Sequence, residues 1–452
     1  MASMSNDTGS QPQAEARPEE PTLSRSIGTF ELTLYALGSM LGSGIYGLIG
    51  KAAGQVGNVV WMSFLAAVAA ALLTALSYAA LGSRYPRAGG AAYVAQRAFG
   101  IPLLSFVVGL ALVCSGLTSV ATQSRVFASN VAALLGTTTL PVEAIAIGFL
   151  LILAGIVFRG IKESMWVNVL CTVIEATGLL IVAAVGISYW GSVDYFETPP
   201  EHADTATALL VLQGSILTFF AFIGFEDAIN VAEEVKNPSR TIPIALISAM
   251  AMATVLYLAV AVSAISVVPY AELAKAPAPL TAVMERAAPW FPPLLMTGIT
   301  LFAVANTALV NYVTATRLIY GMSRQGLLPE PVGRIHPVRR TPHIATAVLL
   351  VVLLPLALSG TVAELAAATV LLLLFVFTVV NASLFVLKRR ADEPKGGLEL
   401  SPLVPLGGAA LCLVLVVVRI TSGDLSAPLI AAVLIAGIVG IYVLVRPAPV
   451  PD

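Results

Sequence analysis

Twelve long apolar runs dominate this chain and leave few folds open to it. They lie at roughly 29–52, 57–83, 101–135, 141–159, 165–190, 207–234, 242–268, 291–325, 342–360, 362–388, 403–419 and 427–446. About 20 consecutive apolar residues cross a bilayer core as a helix, whereas the strands of membrane barrels alternate over about ten. Continuous runs of this length predict an all-α membrane protein with twelve transmembrane helices. Composition agrees: 58% of the 452 residues are hydrophobic and 11% charged, with a mean hydropathy of +0.91. Soluble domains carry about 25% charged residues, so a soluble globular protein is excluded. A formal net charge of −1 leaves no basic face for nucleic acid.

The connections predict an orientation. Residues 1–27 are rich in Ser, Pro, Gln and Glu. They lack a basic start, an apolar core and a small-residue cleavage site, and so predict a disordered cytoplasmic tail rather than a signal peptide. With that tail inside, nineteen of the 24 Lys and Arg fall in inner connections. Four (Lys51, Lys275, Arg286 and Arg419) fall outside, and Arg125 lies within the third run. The positive-inside rule then puts both termini in the cytoplasm of a multi-pass protein of the plasma membrane. The 191–206 connection, with Asp194, Glu197, Glu201 and Asp204 but no Lys or Arg, fits an exterior loop.

Two of the runs are interrupted. The first holds Gly38, Gly42, Gly44, Gly47 and Gly50 in a single crossing. Each helix-interior glycine costs about 1 kcal/mol relative to alanine, so the Gly42-Ser43-Gly44 triplet predicts unwinding, which is tolerated at membrane depth only beside a cavity. The sixth run has a matching interruption at Gly224, followed by Glu226 and Asp227. Carboxyls there are costly unless they face water or a partner. Gly44 and Gly224 are 180 residues and five spans apart. Five being odd, the second set of spans enters the membrane inverted, the plan of many secondary transporters, whose broken helices mark the binding site. The chain accordingly divides into a first five-helix repeat at 28–190, an inverted second at 207–388 and two peripheral helices at 403–446. Freed N–H groups in the outer half of the first span suit a carboxylate, and freed carbonyls suit an ammonium.

Other chemistry finds little support. Gly42, Gly44 and Gly47 spell a dinucleotide fingerprint, but its strand, amphipathic helix and downstream acid are missing. Cys114, Cys171 and Cys412 sit in apolar runs and read as buried hydrophobes; His202, His336 and His343 lack ligand spacing, so neither a metal nor a cofactor is expected. No nucleophile constellation points to an enzyme, and no catalytic residue is assigned. Intramembrane charge is too sparse for a channel.

The stretches GSGIYG at 42–47, FIGFED at 222–227 with EEVKNPSRTIP at 233–243, and RLIYGMSRQGLLP at 317–329 resemble the amino acid–polyamine–organocation superfamily. That superfamily includes the cationic amino acid transporters and the arginine/agmatine antiporter. The resemblance covers about residues 27 to 446 and implies a ten-helix inverted-repeat core, two peripheral helices and alternating access around a central site. It implies that Ser43, Gly44 and Ile45 hold a substrate carboxylate, that carbonyls near Met40, Phe220 and Ile223 receive an amine, and that Phe220 is the outer aromatic gate. Glu226 matches an acidic position tied to substrate or proton handling. At Glu175 the chain departs from relatives that carry a lysine; a carboxylate there can accept a proton or help hold sodium, so the coupling ion is a proton or sodium.

Polar residues on two further spans are candidates for the side-chain pocket: Gly116, Thr118, Ser119 and Gln123 on the third, and Asn306, Thr307 and Asn311 on the eighth. They serve equally as interhelical hydrogen-bonding groups. Arg125 either pairs with an acid or snorkels outward, and Glu233, Glu234, Lys236 and Arg240 either latch an inner gate or form a solvated loop. The expectation is a permease that moves amino acids, or amines, across the lipid bilayer by proton symport or exchange. A non-transporting sensor of the same fold and a polyamine antiporter are the alternatives, and oligomeric state has no signature in the sequence.

Overall fold

The computed structural model describes residues 27–445 apart from 87–89, 137–140, 160–164, 203–204, 230, 325, 338 and 340, and the side chains of 165–168 and 233. The expected tail to residue 26, with Arg17 and Arg25, and the topology residues Arg87, Lys162, Asp204, Arg340 and Arg446 lie outside them.

Apolar side chains stabilise helices in lipid because each backbone group is satisfied within its own segment. The helices are α1 (Thr29–Met40), α2 (Ser43–Tyr46), α3 (Ile49–Val56), α4 (Val60–Arg84), α5 (Gly90–Phe99), α6 (Pro102–Leu135), α7 (Val142–Arg159), α8 (Met165–Gly186) and α9 (Thr207–Phe219). There follow α10 (Pro238–Val267), α11 (Tyr270–Leu273), α12 (Pro279–Ala287), α13 (Pro293–Arg324), α14 (His343–Leu358), α15 (Val362–Leu387), α16 (Leu403–Thr421) and α17 (Ser426–Val445). Among the described residues, ten helical segments are long and apolar enough to cross a membrane, and α14 is a shorter apolar helix. Among the described residues there is no strand, only one isolated bridge between Ile27 and Val235. Each apolar run is helical, and the first is broken into α1, α2 and α3. The short helices α5, α11 and α12 lie in segments read as plain connections.

Local chemistry sets several ends. Proline opens α6, α10 and α12, where its missing N–H has no helical acceptor to lose. A capping box starts α15: Thr361 Oγ1 accepts from the Glu364 N–H while Glu364 Oε2 accepts from the Thr361 N–H.

The centre is built around α1, buried from Leu32 to Met40 except at half-buried Tyr35. It packs on α10 and α8, while α4 lies against α9 and α10, and α6 against α13 and α15. Helices α16 and α17 lean on α15 from outside. α17 buries only Ala427, Ala431 and Ile438, and exposed Leu429, Val433 and Val443 on its outer side match acyl chains. Of the three free cysteines, Cys171 and Cys412 are buried and Cys114 is half-buried.

A candidate substrate site between two broken helices

Helix α1 stops at Met40 because Leu41 and Gly42 are extended, and α2 restarts at Ser43. The carbonyls released by the break are not left bare: Tyr257 Oη donates to Met40 O at 2.9 Å and Thr307 Oγ1 to Leu41 O at 2.7 Å. In the first turn of α2, the N–H groups of Ser43, Gly44 and Ile45 have no helical acceptor behind them.

The second break lies between α9 and α10. After a tight turn over Phe220–Phe222 the chain extends at Ile223 and reverses at Gly224, whose φ of +123° excludes a side chain. The freed Gly224 N–H donates to Glu226 Oε2 at 2.9 Å, and Asp227 N–H donates to Gly224 O at 3.1 Å. This break satisfies itself.

The two breaks interlock. A Cβ on Gly44 would lie 2.4 Å from the Ala221 Cα, and one on Gly224 would lie 2.4 Å from the Ser39 carbonyl oxygen. Met40, Gly42, Ser43, Gly44, Phe220, Ile223, Gly224 and Asn311 are brought together around a narrow space of about 10 Å³. Ile45 is buried beside them but does not line it, and Glu226 lies just beyond. Ser39 Oγ, Ser43 Oγ and Gln123 Oε1, all buried and without a hydrogen-bond partner, belong to residues that edge this space. Unpartnered buried polar atoms are rare and costly, so a cluster of three calls for a ligand or water. Ser119 links the wall together, accepting from Asn311 Nδ2 at 3.0 Å and from Gln123 Nε2 at 3.2 Å.

Beneath it, toward the end of the helices where α1 begins, lies a cavity of about 420 Å³. Ser119, Ile223 and Asn311 are shared by both spaces. Three acids, Glu226, Asp227 and Glu234, line the cavity along with the unpartnered Tyr78 hydroxyl, and exposed Arg317 stands at its rim. The cavity on this side of the breaks therefore carries three carboxyl groups and one guanidinium.

Glu175 sits apart from both spaces. It is fully buried on α8, with Oε1 accepting from Asn306 Nδ2 at 3.0 Å and Oε2 without a partner. Its backbone carbonyl accepts from the Tyr46 hydroxyl, tying it to α2. Thr118 turns away to Thr369. Arg125 pairs with Glu143 at 2.8 Å and donates to Gly360 O at 3.1 Å, so the acid it finds belongs to the first turn of α7.

Glu234 faces the cavity, while Lys236 and Arg240 are exposed; the side chain of Glu233 lies outside the described residues. Ion pairing at this end is instead supplied by the 389–402 connection. There Glu399 pairs with Arg84 at 2.6 Å and Lys388 at 2.9 Å, and Glu393 pairs with Arg97 at 2.8 Å. Burial raises the Glu399 carboxyl, but hydrogen bonds from Lys388 and Arg84 outweigh it and bring the value down to about 2. Sequence reasoning missed Tyr257, Tyr78 and Ser39. An aromatic in an apolar run reads as core, and only helix crossing shows where its hydroxyl points.

The profile of the amino acid permease family matches residues 27–442, spanning both breaks and both cavities. The chain belongs to that family. It is 28% identical over 425 residues to the branched-chain amino acid permease BcaP of Bacillus subtilis, covering 88% of each chain. A methylthioribose transporter of the same organism is 28% identical over 421 residues, covering 88% of this chain and 89% of that one. The chloroplastic cationic amino acid transporter 9 of Arabidopsis thaliana is 31% identical over 336 residues, 70% of this chain and 58% of that one. This permease is an integral membrane protein and a transporter rather than an enzyme, and an amino acid is the kind of cargo its family is named for.

Proposed function

We propose that this permease is a secondary active transporter that moves amino acids by alternating access, through proton symport or exchange. The observation that carries the reading is the interlocked pair of breaks, Gly44 on Ala221 and Gly224 on Ser39, around the unpartnered polar atoms of Ser39, Ser43 and Gln123. Twelve spans arranged as two inverted five-helix repeats and two peripheral helices give each break its place in a repeat. The termini are cytoplasmic and the membrane is the plasma membrane. The substrate carboxylate docks on the N–H groups of Ser43, Gly44 and Ile45. The ammonium lies toward the carbonyls near Phe220 and Ile223 and toward Met40 O, which shares its lone pairs with Tyr257. Phe220 closes the outer side.

Glu226 is placed to handle a proton or a cationic substrate group, because it joins the break at Gly224 to the cavity. Glu175, buried with one bare oxygen, is the second coupling candidate, for a proton or for sodium. An isolated buried carboxylate costs several kcal/mol, so a bound cation of either kind relieves it.

Uptake by purified protein in sodium-free liposomes tests the reading, with labelled amino acids and polyamines supplied under an inward proton gradient or against preloaded substrate. Accumulation driven by the gradient is expected of a symporter, and uptake only against preloaded substrate of an exchanger. Dependence on added sodium makes sodium the coupling ion, with Glu175 its candidate ligand. Silence under all conditions in protein that still binds amino acids contradicts transport and favours a sensor.

A further inference from the structure

A second polar cavity of about 220 Å³ lies at the opposite end of the helices, between α3, α9, α15 and α16. Its floor is Ile216 and Leu217, one helical turn before Phe220 and on the same face. Around it stand Gln55, Gln213, Glu364, Arg419, Ser422 and Asp424. Their polar groups are incompletely used. Arg419, its side chain 11% exposed, donates to Ser422 Oγ at 3.0 Å and Asp424 Oδ2 at 2.7 Å, but its Nε is buried with no acceptor. Glu364 spends Oε2 on the Thr361 N–H, and among the described residues neither its Oε1 nor the amides of Gln55 and Gln213 have a partner.

We propose that this cavity is a separate binding site for a zwitterionic amino acid, lying outside the Phe220 gate and completed by the peripheral helix α16. The carboxylate takes the guanidinium of Arg419 that lines the cavity, the ammonium takes Glu364, and the two glutamine amides complement either group. A simple anion meets Glu364 and Asp424, and a polyamine meets Arg419, so neither satisfies the whole set. The site holds cargo waiting to enter the breaks, and this role rests on the transport reading above.

Equilibrium dialysis of the purified full chain against each labelled proteinogenic L-amino acid tests it. The best-bound amino acid is expected to bind at two equivalents in the wild type. One equivalent remains in Gly44→Val, which fills the breaks, and one in Arg419→Gln; none remains in the double variant. Gln213→Leu, a smaller change, is expected to weaken the same equivalent about tenfold without altering the melting temperature. A wild type that binds one equivalent, lost completely in Gly44→Val and untouched by Arg419→Gln, overturns the outer site while the transport reading stands. Displacement of the outer equivalent by putrescine overturns the zwitterion assignment. No binding of any amino acid by the wild type overturns both.

Discussion

The two helix breaks look alike in sequence and are held in different ways. The first is anchored by its neighbours: Tyr257 of α10 and Thr307 of α13 reach across to the carbonyls of Met40 and Leu41. The second is capped by its own residues, Gly224 N–H on Glu226 and Asp227 N–H on Gly224 O, while Phe222 packs on Phe64 and Tyr257 and Phe225 on Tyr78 and Phe377. A break fastened to two other helices moves only when they do. The cap of the second break is an ionisable group lining a cavity. In this permease the two breaks therefore differ in what fixes their backbone: side chains of α10 and α13 for the first, its own Glu226 cap for the second.

The contact shared by both breaks carries the largest expected effect. Gly44→Val puts a branched side chain where even a Cβ would sit 2.4 Å from the Ala221 backbone. Overpacking costs about 1–3 kcal/mol, which taken up in binding is about five- to a hundred-and-fiftyfold in substrate affinity, and wild-type affinity in a binding assay would refute the interlock. Thr307→Val acts on the first break alone, leaving Leu41 O buried without its donor. The expected loss is about 1–3 kcal/mol of stability, read as a lower melting temperature, and an unchanged melt removes the anchoring role.

Glu226→Gln acts on the second break alone. It replaces a charge-assisted hydrogen bond by a neutral one, a loss of about 1 kcal/mol or roughly fivefold in transport rate, and it flattens the pH profile. A pH profile identical to wild type takes Glu226 out of proton handling.

The smallest effect is expected in the connection between α15 and α16, where a Cβ on Gly397 would lie 2.0 Å from the Ser239 carbonyl oxygen at the start of α10 and Glu399 holds Arg84. A carboxylate brought down to about 2 contributes stability above its unfolded value and loses it as pH falls toward 2. Glu399→Gln is therefore expected to lower stability by about 1 kcal/mol or less, since Glu399 is 45% exposed, and equally at pH 5 and pH 8. A mutant effect that differs between those two pH values contradicts the assignment.

Much of this was legible in the chain. Glycine clusters and carboxyls inside apolar runs marked both breaks, Glu226 and Glu175, because each violates what lipid tolerates. Polar helix positions such as Gln123, Thr307 and Asn311 were legible as candidates but not in role; Thr307 holds a carbonyl and Asn311 holds Ser119. The fastening of the first break was hidden because it depends on Tyr257, 217 residues from Met40, whose hydroxyl is placed by the crossing of α10 over α1. The short helices α5 and α11 escaped notice for a related reason. They gain stability from the walls they rest on, α6 and α3, rather than from a long apolar pattern of their own.

The proposed alternating access requires the two cavities to open reciprocally, and thiol accessibility tests this most directly. Thr314→Cys places a thiol in the cavity of about 420 Å³ and Ala363→Cys places one in the cavity of about 220 Å³. Each is labelled with a membrane-impermeant reagent, with and without transported amino acid, against the background of Cys114, Cys171 and Cys412. The account predicts that substrate moves the two labelling rates in opposite directions. Rates that rise together, or that substrate leaves unchanged, would contradict it.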